Sequence, residues 1–170
     1  FPYTTLFRSK MNHSATANEI IEVTQEELSR ASLQKTPQEV LAVFVQPSYD
    51  LNPEVIKSSL CLALDDVQDP GNLGTIIRLA DWFGIEHIFC STGTADVYNP
   101  KTVQATMGAL ARVKVHYCSL PQLIESLTDI PVYGTFLNGN IIYAESLSAH
   151  GLIVMGNEGK GVSPEDRKST

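Results

Sequence analysis

From residue 60 onward the chain alternates short apolar runs of strand length with segments of helical period. Leu60–Leu64, His87–Cys90, Val113–Cys118, Val132–Leu137 and Leu152–Met155 read as strands, with helices over Thr75–Phe83, Thr102–Leu110 and Pro121–Leu127 between them. Apolar strands separated by helices of about ten residues imply βαβ units and an α/β fold, a parallel sheet with helices on both faces. The first 48 residues follow another pattern. Thr24-Gln25-Glu26-Glu27 fits a capping box, in which the Thr hydroxyl caps the third backbone N–H and Glu27 reaches back, so a helix is expected over Gln25–Ala31. Val40–Val45 is a continuous apolar run closing at Pro47, expected as a strand buried on both faces. The stretch Gln46–Pro53 has two prolines, Pro47 and Pro53, and few apolar residues, and reads as a linker.

Composition narrows the class. The 170 residues suffice for one domain or one and a half, and 43% hydrophobic with 18% charged residues is ordinary for a globular protein. The longest apolar runs, such as Gly151–Gly156, fall far short of the roughly 18 residues of a membrane span. The N-terminus also lacks the basic segment and apolar core of a secretory signal, so a cytoplasmic location is expected. Cys61, Cys90 and Cys118 are odd in number, widely spaced and set in apolar stretches, which points to reduced thiols rather than disulfides or a metal site. The net charge of −7 argues against generic coating of phosphates and confines any nucleic-acid role to a local site.

Phe1–Ser9 (FPYTTLFRS) and Asp166–Thr170 (DRKST) resemble translated sequencing-library adapters, so 1–9 and 166–170 are expected to be non-native tails around a piece of a longer chain. Without them 9 basic and 18 acidic residues remain, a net charge of −9, so the acidity belongs to the protein itself.

Two segments can carry chemistry. Asp69-Pro70-Gly71-Asn72-Leu73-Gly74-Thr75-Ile76-Ile77-Arg78 follows a strand and opens a helix. Its proline and glycines permit a tight turn, and the free N–H groups of a helix start favour a phosphate or carboxylate. Arg78 shares a helix face with Thr75 and Trp82, and its head group is expected at a pocket or a subunit interface; an ordinary strand-to-helix turn with a surface arginine is the competing reading. The second segment, Gly151-Leu152-Ile153-Val154-Met155-Gly156-Asn157-Glu158-Gly159-Lys160-Gly161-Val162-Ser163-Pro164, runs from a strand into a glycine-rich loop, with Ser163 and Pro164 suited to start a helix. Such a loop at the carboxyl end of a parallel strand suits a small-molecule ligand, against the alternative of a flexible surface loop. Neither segment is a dinucleotide fingerprint or a Walker A loop, because the required glycine, lysine and hydroxyl spacings are missing. Tyr133–Gly139 is either a ligand-lining edge or a plain turn, and His13, His87, His116 and His150 stand apart from any ligand or catalytic arrangement.

Taken together, DPGNLGTIIRLADWFGI, NPKTVQATMGAL and LIVMGNEGKGVSPE resemble the SpoU/TrmH family of RNA ribose 2′-O-methyltransferases, of the SPOUT superfamily. The resemblance covers about residues 59–165. The stretch before it, 10–47, looks like the end of an L30e-like RNA-binding domain, joined by a linker over 48–58. The resemblance implies a trefoil-knot fold, S-adenosyl-L-methionine as cofactor, a homodimer in the full-length parent, and no metal or membrane partner. It implies RNA as substrate, with rRNA, most of all 23S, favoured over tRNA; the alternative is a non-catalytic RNA-binding paralogue of the same fold. Residue by residue it assigns catalytic roles to Asn72, Arg78 and Glu158, and a cofactor-binding role to Gly134, Thr135, Leu137, Gly156 and Asn157. Arg78 is implied to activate the 2′-hydroxyl electrostatically, because guanidinium pKa values lie above about 12. Gln104 stands where relatives often carry arginine. The family's third motif is expected after Glu165, so the knot is expected to be incomplete here and the 170-residue chain to bind cofactor poorly.

Overall fold

The computed structural model describes residues 4–8, 19–32, 34, 36–136 and 139–162, and the chain divides after Ser48 into two units. In the first, strand β1 (Thr4–Arg8) lies between β2 (Glu19–Glu22), parallel to it, and β3 (Val40–Phe44), antiparallel. Helix α1 (Gln25–Ala31) follows β2 and starts on the expected capping box: the Glu27 N–H donates to Thr24 Oγ1 at 3.3 Å, and the Thr24 N–H donates to Glu27 Oε2 at 2.8 Å. β3 departs from expectation. It is a strand, but Val43 and Phe44 are half exposed, so among the described residues its apolar run is not covered on both faces.

The second unit is a five-stranded, wholly parallel sheet. Its strands are β4 (Leu60–Leu64), β5 (His87–Cys90), β6 (Lys114–Tyr117), β7 (Val132–Gly134) and β8 (Gly151–Met155), in the spatial order β6-β5-β4-β8-β7. Helices α2 (Pro70–Trp82), α3 (Pro100–Thr106) and α4 (Leu120–Ser126) connect them. Because side chains alternate along a strand, the sheet has two apolar faces. Cys61, Ala63, Phe89, Leu152 and Val154 pack on one side with Leu120, Leu123 and Ile124 of α4. Leu62, Leu64, Ile88 and Cys90 pack on the other with Leu73 and Ile77 of α2. Helices therefore cover both faces, as the run of apolar strands requires. Burial pushes the Cys61 thiol up to about 11 and that of Cys90 to about 12, which keeps both protonated and weakly nucleophilic. Among the described residues no helix is long and apolar enough to cross a membrane, and no cluster of His, Cys, Asp or Glu could hold a metal ion.

Element ends differ from the hydrophobic pattern where polar chemistry decides. α2 begins at Pro70, five residues before the apolar period, because the Asp69 carboxylate accepts the Asn72 N–H at 2.8 Å and Pro70 occupies the first helical position. α3 stops at Thr106 instead of Leu110, since Met107 and Gly108 turn left-handed with φ of 51° and 86°. α2 and α3 meet at Gly74. A Cβ there would lie 2.5 Å from Ala105 Cβ and 2.6 Å from the Thr102 carbonyl oxygen. Gly74→Ala is therefore expected to destabilise the domain by about 1–3 kcal/mol, seen as a lower urea midpoint with an unchanged slope.

At the β5–β6 edge His87 and His116 stack with ring centroids 5.4 Å apart and Nδ1 of His87 3.1 Å from Nε2 of His116. His116 also stacks on Phe89. Burial holds both rings below the ordinary histidine value of 6.5, with Lys114 and the neighbouring ring adding to the effect on His116, and Glu86 opposing it at His87. The unfolded chain thus binds more protons than the folded one just below that value. The stabilising contribution is complete above 6.5 and is lost as pH falls below it. Chemical denaturation at about pH 7.5 and about pH 5.5 is expected to show the loss, and His116→Phe to reduce it.

Candidate functional site

The sheet winds outward from β4 to β5 and β6, and α4 then carries the chain to β7 on the opposite edge. β8 finally enters between β7 and β4, so the winding reverses at the β4–β8 pair. In open parallel sheets the crevice beyond the carboxyl ends of the strands at such a reversal is where ligands bind. The two sequence segments singled out above leave from that place.

The turn after β8 is built on Asn157. Its side-chain oxygen accepts the N–H groups of Gly159 and Lys160 at 2.9 and 3.0 Å, and its Nδ2 donates to the Asp66 carbonyl at 2.7 Å. The Asn157 and Gly161 backbones exchange hydrogen bonds of 3.0 and 2.8 Å. Gly156 lies so close to the Gly161 and Val162 backbones that a Cβ could not be placed there. The turn therefore closes tightly, and its outer side is one wall of a cavity of about 850 Å³. Thr135, Phe136 and Gly139, beyond the end of β7, line the opposite side.

Two of the three expected catalytic residues meet. Asn72, in the first turn of α2, donates from Nδ2 to Glu158 Oε1 at 2.7 Å across 86 positions of sequence. Glu158 lines the cavity, so this bond ties the start of α2 to the cavity wall. Arg78 is not brought there. It is exposed on α2 beside Leu79 and Trp82, lines no part of the cavity, and has no hydrogen-bond or ion-pair partner among the described residues. Of the expected cofactor contacts, Thr135, Gly156 and Asn157 line the cavity. Thr135 Oγ1 donates to the Val154 carbonyl at 3.1 Å, which orients it along β8. Gly134 does not line the cavity; it faces the Phe136 ring, which leaves no space for a Cβ and which in turn contributes to the wall. Leu137 and the helix start at Ser163 and Pro164 lie outside the described residues. Phe136 and Lys160 line the cavity without having been singled out; their neighbours in the GNEGKG and YGTF segments were the available signal.

The fold is shared by solved structures. A TrmH-family protein from Porphyromonas gingivalis superposes with a TM-score of 0.84 at 41% identity, over 97% of this chain and 69% of that one. The SpoU methyltransferase AviRb from Streptomyces viridochromogenes, in complex with AdoMet, superposes with a TM-score of 0.82 at 26% identity, over 98% and 71%. The fold is thus that of the α/β SPOUT methyltransferases. The model of the SpoU rRNA Methylase family matches residues 59–170, and the chain belongs to that family. A curated relative, the 23S rRNA (guanosine(2553)-2′-O)-methyltransferase RlmP of Bacillus subtilis, is 34% identical over 143 residues. The match takes in 82% of this chain but 56% of the relative, so the chain spans little more than half that protein's length.

Proposed function

We propose that this chain carries the catalytic site of an S-adenosyl-L-methionine-dependent RNA methyltransferase that modifies a ribose 2′-hydroxyl of ribosomal RNA, 23S above others. The hydrogen bond between Asn72 and Glu158 at the cavity wall carries the reading, because it brings together side chains from the two segments that the family resemblance marks as catalytic. The cavity also fits the cofactor: Gly156 leaves it a backbone wall without a side chain, and the exposed Phe136 ring offers an apolar surface to an adenine. When bound, S-adenosyl-L-methionine supplies a methyl group on a positively charged sulfur, an electrophile with its leaving group already in place.

The protein's part is then alignment and charge. The Asn157 turn and Thr135 hold the donor, and Asn72 and Glu158 fix the wall against which the ribose must approach. The positive charge of Arg78 stabilises the negative charge that develops on the 2′-oxygen as its proton passes to solvent. The α2 face that carries Arg78 also exposes Trp82, at 82%, and Phe83 just past the helix end is 74% exposed. A second copy of the chain covers that apolar face in the homodimer we propose, which makes Arg78 part of a site completed by two chains. The net charge of −7 leaves the positive surface for RNA to be supplied elsewhere in the full-length protein.

Calorimetric titration of S-adenosyl-L-methionine into this chain and into a longer product of the same gene tests the reading. Saturable binding by the longer product, followed by methyl transfer to rRNA, is the expected result. If neither binds, the site is not a methyl-donor site, and an RNA-binding protein of the same fold takes its place.

A further inference from the structure

Asp66, in the turn from β4 to α2, is one of three non-glycine residues with positive φ among those described, at 58°. L side chains rarely adopt this conformation, although Asp tolerates it better than most. Glycine would hold the same backbone without strain, so the carboxylate is what the aspartate adds. Every polar group of Asp66 is engaged. Its N–H donates to Ser91 Oγ at 2.8 Å, in the loop after β5, and its carbonyl accepts Asn157 Nδ2 at 2.7 Å. Its two carboxylate oxygens each accept from Gln68 Nε2 at 3.3 Å, and Oδ2 lies 3.9 Å from Lys160 Nζ. From the β5 side Gly93 abuts Oδ1 so closely that a Cβ there would displace the carboxylate. Three loops at the carboxyl edge of the sheet thus converge on one residue that no sequence pattern marks.

We propose that Asp66 is a positioning residue of the site: anchored by the β5–α3 loop, it grips the Asn157–Lys160 turn at both ends, through its carbonyl and its carboxylate, and so sets Glu158 against Asn72. The proposal deepens the methyltransferase reading and rests on that turn being the donor-binding loop. The carbonyl bond fixes the start of the turn and the charge pair its far end. Lys160 is otherwise a mobile cation on the cavity wall, its side chain 78% exposed. Loss of the carboxylate frees that end of the turn while the sheet beneath is untouched.

Two substitutions separate this role from general stability. Asp66→Gly removes the carboxylate and leaves the backbone unstrained. Gly93→Ala puts a methyl group where Oδ1 sits and displaces the carboxylate without removing any group of the turn. In both, amide exchange at Asn157 and Gly161 is expected to quicken about threefold, the Kd for S-adenosyl-L-methionine to rise by a similar factor, and the exchange of β4 and β5 amides and the Tm to stay near the parent values. Asp66→Asn tolerates the left-handed backbone but removes the charge that faces Lys160, and is expected to exchange like Asp66→Gly. Exchange needs no ligand, so failure of the parent protein to bind the donor would count against the functional reading alone. Parent-like exchange at Asn157 and Gly161 in both Asp66→Gly and Gly93→Ala would overturn the positioning role.

Discussion

Gly156→Ala is expected to abolish useful binding of S-adenosyl-L-methionine, with Kd raised roughly 100-fold. The added Cβ meets the backbone of Gly161 and Val162, not the movable end of a side chain, so the strain cannot be relieved by a rotamer change. The turn must open, and with it the paired hydrogen bonds between Asn157 and Gly161 and the alignment of Glu158. Overpacking of this kind costs about 1–3 kcal/mol, and every 1.4 kcal/mol is a factor of about ten in affinity. Calorimetry gives the Kd, and circular dichroism verifies that the sheet persists. Affinity within about threefold of the parent would show that Gly156 is not part of the donor's cradle.

Arg78→Ala is expected to separate chemistry from binding. Arg78 lines no part of the cavity, so the affinity for the donor should not change, whereas methyl transfer should fall about 10²–10³-fold, the usual loss when a charge-stabilising donor is removed. Single-turnover transfer to an rRNA fragment measures the rate, and calorimetry the affinity. Arg78→Lys keeps the charge but not the planar fork, and is expected to recover only part of the rate. A parent-like rate in Arg78→Ala would assign Arg78 to the helix surface and leave activation of the hydroxyl to other groups.

The sheet was legible because its strands are short apolar runs with no competing period, and four of the five have bounds within a residue of the apolar pattern. The fifth, β7, stops at Gly134, where the chain folds Phe136 back over the glycine, a contact no periodicity encodes. The helix start at Asp69 depends on one side-chain cap and the stop at Met107 on two left-handed residues, and neither shifts the hydrophobic count. In the site, the glycine turn and the Asn72 and Glu158 positions were legible through family resemblance, and the bond between them supports joining the two segments. Asp66 was not legible, because its contacts reach residues 25 and 91 positions away and no local pattern marks it. The exposure of β3 was misjudged because an apolar run does not reveal how many neighbours its strand will have.

The position of β8 sets the order in which the domain can be assembled. It is made after the other four described strands and yet sits inside the sheet, between β4 and β7. Until it has left the ribosome, both of those strands present an open edge, and the groups that pair across Leu60–Gly151 and Val132–Leu152 have no partner. Closure of these five strands must therefore wait until Met155 has been made, through contacts distant in sequence that form slowly. The nascent chain carries two sticky margins through that interval, and its yield in the cell will depend on how well other factors shield them.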